Sequence, residues 1–246
     1  MSRKFKVEKR YYDESYDLYK KRSITINEGV TVLVGCNGSG KTTLLHQIKA
    51  QLKKENIPVV SFDNLHDGGS RAMSSAGFHG DFGFMATAMS SSEGENIILS
   101  ISKLASTLRA FIQTGESQMD SDRFSRSFAK ALWGDENNKE EEKKEIPNER
   151  WILLDAVDSG LSVDNVVDLK ECLFKTILED NFEGSIYIVI SANEYELCRE
   201  ENCFDVYNGK YVKFSNYEKY RKFILKSREI KDQRWEKEDT PKEKQE

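Results

Sequence analysis

No run of about 18 apolar residues occurs in this chain, so a membrane-spanning helix is not expected. The first residues, MSRKFKVEKRYYDESYD, lack the apolar core of a secretory signal peptide. Cysteine is sparse: four in 246 residues, at Cys36, Cys172, Cys198 and Cys203. Their spacing matches no metal motif and frames no disulfide scaffold, so they read as reduced thiols of a cytoplasmic protein. A positive excess is also missing. The formal net charge is -5, so whole-surface attraction to nucleic acid is unsupported. No internal repeat and no extended heptad run is evident. Histidine is confined to His46, His66 and His79, and glutamine is absent from residues 52–112.

Hydrophobic residues make up 38% and charged residues 32%, a polar but globular balance. The length suits one sizeable domain. Strands are expected at KFKVEK, RSITI, VTVLVG, PVVSF, WILLD and SIYIVIS, and a hairpin at VYNGKYVKF around its Asn-Gly turn. Helices are expected over TTLLHQIKAQLKK, from about Glu93 to Gln113, around 122–133, near 163–179, and from about Tyr217. Residues 63–90, rich in Gly, Ser and Ala, read as an irregular connection. Residues 134–149 read as a solvated charged loop. The last helix carries Lys219, Arg221, Lys222, Lys226 and Arg228, but acids are interleaved, so it reads as a solvated amphipathic helix. The tail over 231–246 reads as disordered.

The chemistry begins at VTVLVGCNGSGKTTLL, which contains Gly35-x-x-x-x-Gly40-Lys41-Thr42. An apolar strand leads in and an amphipathic helix leads out, the context that this phosphate-loop motif requires. Gly35, Asn37, Gly38, Ser39, Gly40 and Thr43 would supply a backbone cradle for phosphate oxygens. Lys41 would reach the β and γ phosphates, and the Thr42 hydroxyl would ligate Mg²⁺. ATP and Mg²⁺ are therefore the expected cofactors.

Two further stretches decide among phosphate-loop proteins. Ser91-Ser92-Glu93-Gly94-Glu95 precedes a long apolar helix and is also a fair capping box. Asp155-Ala156-Val157-Asp158-Ser159-Gly160-Leu161-Ser162 ends an apolar strand. Together with the phosphate loop, and in this order, they resemble the signature, Walker B and D-loop sequences of ATP-binding-cassette (ABC) ATPases. The resemblance covers the motif-bearing parts of roughly residues 20–215. It is nearer to the small stand-alone members of DNA-repair, phage and mobile-element type than to transporters.

The resemblance implies an α/β P-loop NTPase fold over residues 1–230, with a mixed sheet and a small helical subdomain at about 79–133. It implies ATP held between two copies in a head-to-tail homodimer, with Ser92, Gly94 and Glu95 acting in trans and Asp155 holding Mg²⁺. It implies an aromatic on adenine, for which Tyr11 and Tyr12 are in range. Three departures stand out. Ala156 occupies the place of the usual catalytic Glu and has no proton acceptor. No His follows the later strand, where Ser191 or Asn193 would sense the γ-phosphate. No Gln lies on the loop after PVVSF.

Asp158, Asp63 and His66 are the candidates for holding water, and each has an ordinary alternative as a turn former or surface group. The expected function is a slow ATPase that switches a protein partner. A non-hydrolysing nucleotide sensor acting on an effector such as a nuclease is the alternative. A small-molecule kinase fits less well, because the signature and D-loop would have no task.

Overall fold

The computed structural model describes residues 1–9, 17–63, 93–116, 147–159, 161–179 and 182–236. Strands β1 (Ser2–Lys6) and β2 (Ser23–Asn27) form an antiparallel pair. The main sheet contains β3 (Gly29–Val34), β4 (Val59–Asp63), β5 (Glu149–Asp155), β6 (Ser185–Ser191), β7 (Asn202–Asp205) and β8 (Lys210–Val212). Its order is β4-β5-β6-β3-β7-β8, parallel except for the β7–β8 hairpin. The helices are α1 (Lys41–Lys54), α2 (Glu93–Thr114), α3 (Val163–Asp168), α4 (Lys175–Leu178), α5 (Tyr195–Cys198) and α6 (Tyr217–Glu236). The fold is α/β with a mixed sheet, as expected.

Alternation along the central strands sends successive side chains to opposite faces, and each face has its own core. Trp151, Leu153, Tyr187 and Val189 join Phe5, Ile24, Leu44, Ile48 and Leu52 under α1 and the β1–β2 pair. The Trp151 and Tyr187 rings stack at 4.2 Å, with Phe5 edge-on to Trp151 at 5.1 Å. On the other face, Ile152, Leu154, Ile188 and Ile190 meet Leu104, Leu108 and Phe111 of α2, and Val166, Leu169 and Ile177. Burial on both sides explains the near-continuous apolar runs of β5 and β6.

Most element boundaries fall within a residue or two of the sequence reading, and three features differ from it. Between α3 and α4 the chain makes a wider π-helical turn, Leu169–Phe174. Phe174, the last residue of that turn, is buried in the core. The β7–β8 connection is a four-residue turn, 206–209, and not a two-residue Asn-Gly turn, because Asp205 pairs with Lys210. Asp205 closes it by accepting from the Asn208 backbone and side chain. Finally, α6 continues through Lys231 to Glu236, so the charged stretch starts as helix and not as a disordered tail. The expected helix at 122–133 and most of the charged loop lie outside the described residues.

Candidate nucleotide site

The parallel strands all point the same way, so their carboxyl ends line one edge of the sheet, where ligands of open α/β sheets bind. That edge carries Asp63 from β4, Asp155 from β5, Ser191 from β6 and the loop after β3. Asp63 lies in register with Asp155 and is half-buried.

The loop from Gly35 to Gly40 turns straight into α1. Gly40 is the N-cap, at φ 93°, a left-handed conformation that favours glycine. A Cβ there would lie 3.0–3.3 Å from the Tyr19 ring, and the Tyr19 hydroxyl donates to the Gly40 carbonyl at 2.7 Å. Gly35 is closed in too: a Cβ would stand 2.4 Å from the Ser39 Oγ. Tyr19 is thus a support for the loop that its sequence position did not reveal. Burial raises its phenol pKa.

No side chain caps α1, and no acid lies in its first turn. Its leading N–H groups and positive dipole end therefore remain for an anion. The Lys41 ammonium is 8% exposed and folds back onto the loop, donating to the carbonyls of Gly35 at 2.9 Å and Cys36 at 3.4 Å. Burial lowers its pKa, while Cys36, Asp158 and Asp155 pull it back up. Ser39 Oγ is buried with no hydrogen-bond partner. An unpartnered polar atom inside such a cradle fits a missing anion.

Beside the loop, Ser191 Oγ donates to Asp155 Oδ1 and accepts the Ala156 N–H at 3.0 Å. Ala156 has φ 49°. Asp158 is 3% exposed, and its Oδ2 accepts the Asn193 N–H at 2.6 Å and the Glu194 N–H at 2.7 Å. Its Oδ1 is buried without a partner. Asp158 therefore braces the turn after β6, a role that its sequence position left open. Tyr220 of α6 donates to the Asn193 carbonyl at 2.7 Å, and the exposed Asn193 side chain borders a cleft beside the loop.

Lys41, Asp155, Asp158, Ser191 and Asn193 are thereby gathered at one edge, with Asp63 at the strand end beside them. Thr42 is exposed on the first turn of α1, while Thr43 is half-buried. Gly94 and Glu95 fall in the first turn of α2, whose side chains are described from Leu104 onward. Tyr11, Tyr12, His66, Ser92 and Gly160 lie outside the described residues.

Among the described residues no group of three or more His, Cys, Asp or Glu could hold a metal by itself. The exposed Thr42 hydroxyl and the Asp155 carboxylate are hard oxygen donors of the kind Mg²⁺ takes, together with phosphate oxygens and water. Among the described residues no helix is long and apolar enough to cross a membrane.

No family model matches the chain, and no curated protein does. Among solved structures it is similar to a nucleotide-free ATP-binding cassette from an ABC transporter, with 14% identity and a TM-score of 0.41, over 92% of this chain and 94% of that one. A likeness of that degree carries no weight for function, which rests on the residues themselves.

Proposed function

We propose that this chain is an ABC-type ATPase that binds Mg-ATP at the Gly35–Thr43 loop. ATP is held between two copies arranged head to tail, and slow hydrolysis resets the shape offered to a protein partner. One observation carries the nucleotide reading. An uncapped, acid-free helix N-terminus, a buried lysine ammonium and an unpartnered serine hydroxyl converge on one glycine-walled loop beside an acidic strand end. Thr42 and Asp155 would hold Mg²⁺, whose role is to neutralise phosphate charge. Gly94 and Glu95, in the first turn of α2, support a signature role in trans together with Ser92.

Hydrolysis is slow because the positions where a base would stand are taken up otherwise. Ala156 offers no acceptor, Asp158 is bound to two backbone amides, and Ser191 is engaged with Asp155 and Ala156. Loss of a general base costs about 10²–10⁴ in rate, while positioning and electrostatics persist. The commitment of Asp158 also favours a second reading, a nucleotide sensor that does not hydrolyse.

Sizing with light scattering, with and without Mg-ATP, combined with single-turnover phosphate release, tests both. The expected result is a nucleotide-dependent dimer and slow release. Lys41→Ala abolishes binding, and Ser92→Arg keeps binding but loses the dimer. Tight ATP binding with no phosphate released on prolonged incubation leaves the sensor; absence of ATP binding sinks both.

A further inference from the structure

Helix α6 does not lie idle on the surface. Its middle and C-terminal turns cross the phosphate loop. Ser227 Oγ accepts the Cys36 N–H at 3.1 Å, and Lys231 Nζ donates to the Asn37 carbonyl at 3.3 Å. The Lys231 stem also passes over Gly38, where a Cβ would sit 3.5 Å from its Cδ. Between helix and loop lies a cleft of about 390 Å³. Gly35, Cys36 and Asn37 form one wall, Asn193 the end, and Tyr220, Ile224, Arg228 and Lys231 the other wall.

On the nucleotide reading above, the cleft falls on the terminal-phosphate side of the loop. Its walls include Gly35 and Cys36, whose carbonyls hold the Lys41 ammonium that reaches the β and γ phosphates. Its end is Asn193, tied to Asp158. Tyr19 supports Gly40, at the other end of the loop. Two cations of α6, Arg228 and Lys231, face the cleft. Arg228 is 70% exposed and stands 3.9 Å from Asp232, and Lys231 stands 4.0 Å from the same carboxylate.

We propose that Arg228 and Lys231 are ligands for the terminal phosphate of a nucleoside triphosphate, donated in cis by α6. The inference rests on the nucleotide reading above. On binding, both side chains turn to phosphate oxygens across the cleft, so α6 distinguishes a triphosphate from a diphosphate. Arginine and lysine suit this task through charge-assisted hydrogen bonds to phosphate.

Calorimetric titration of the full chain with Mg-ATP and Mg-ADP tests it, using wild type, Lys41→Ala, Arg228→Gln and the pair Arg228→Gln/Lys231→Gln. The double variant is expected to weaken ATP binding about ten- to hundredfold, with a much smaller change for ADP. Arg228→Gln alone, at an exposed position, gives a partial loss, and thermal melts confirm folding. Equal loss for both nucleotides in a folded variant overturns the terminal-phosphate assignment. ATP binding as tight as wild type, or tighter, in a background where Lys41→Ala abolishes it, overturns the proposal alone. A wild type that binds neither nucleotide overturns both it and the reading beneath it.

Discussion

Replacing Asp158 separates a structural brace from a catalytic acid. Its Oδ2 accepts two backbone N–H groups at 2.6 and 2.7 Å, and the residue is 3% exposed. Hydrogen bonds to a charged group contribute about 1.5–3 kcal/mol each, and a buried donor left unmade costs about 1–3 kcal/mol. Asp158→Ala removes the acceptor of both part-buried amides, so it should cost about 2–4 kcal/mol. In a chain of this size that lowers the melting midpoint by on the order of 10 °C. Asp158→Asn keeps a carbonyl oxygen for both amides and loses only the charge, at about 1–2 kcal/mol. Thermal and urea unfolding of the two variants measures the split. An alanine variant within about 1 kcal/mol of wild type, less than a single such bond contributes, would refute the bracing geometry. An asparagine variant that keeps wild-type stability but loses phosphate release by more than about 100-fold would make Asp158 the base.

Two other perturbations follow from the loop. Gly40→Ala forces a Cβ into the left-handed region and to within 3.0 Å of the Tyr19 hydroxyl. It should cost about 1–3 kcal/mol in unfolding free energy and weaken nucleotide binding; unchanged stability would refute the crowding. Lys41 has its pKa lowered by burial, so the unfolded chain holds that proton more tightly. Stability of wild type relative to Lys41→Met should therefore rise as pH climbs through the folded pKa toward the unfolded value, and be fully gained above it. Denaturant titrations across alkaline pH check this, and a flat difference would show that the ammonium is not desolvated.

Much of the site was legible because it is local. A strand, a glycine loop, a lysine and a helix adjoin in sequence, and their hydrogen bonds close within a few residues, as Lys41 does onto Gly35 and Cys36. The two-sided core was likewise written in the apolar runs of β5 and β6. Pairings across long separations were not legible. Asp158 joins Asn193, Ser191 joins Asp155 and Ala156, and Tyr19 braces Gly40, each through contacts that exist only once the sheet order β4-β5-β6-β3 is set. The same holds for α6. By composition it is an amphipathic surface helix, yet docking directs Ser227, Arg228 and Lys231 at the phosphate loop. Charge spacing along a helix says which residues share a face. Only tertiary packing decides what that face meets, because the partner lies nearly two hundred residues earlier in the chain.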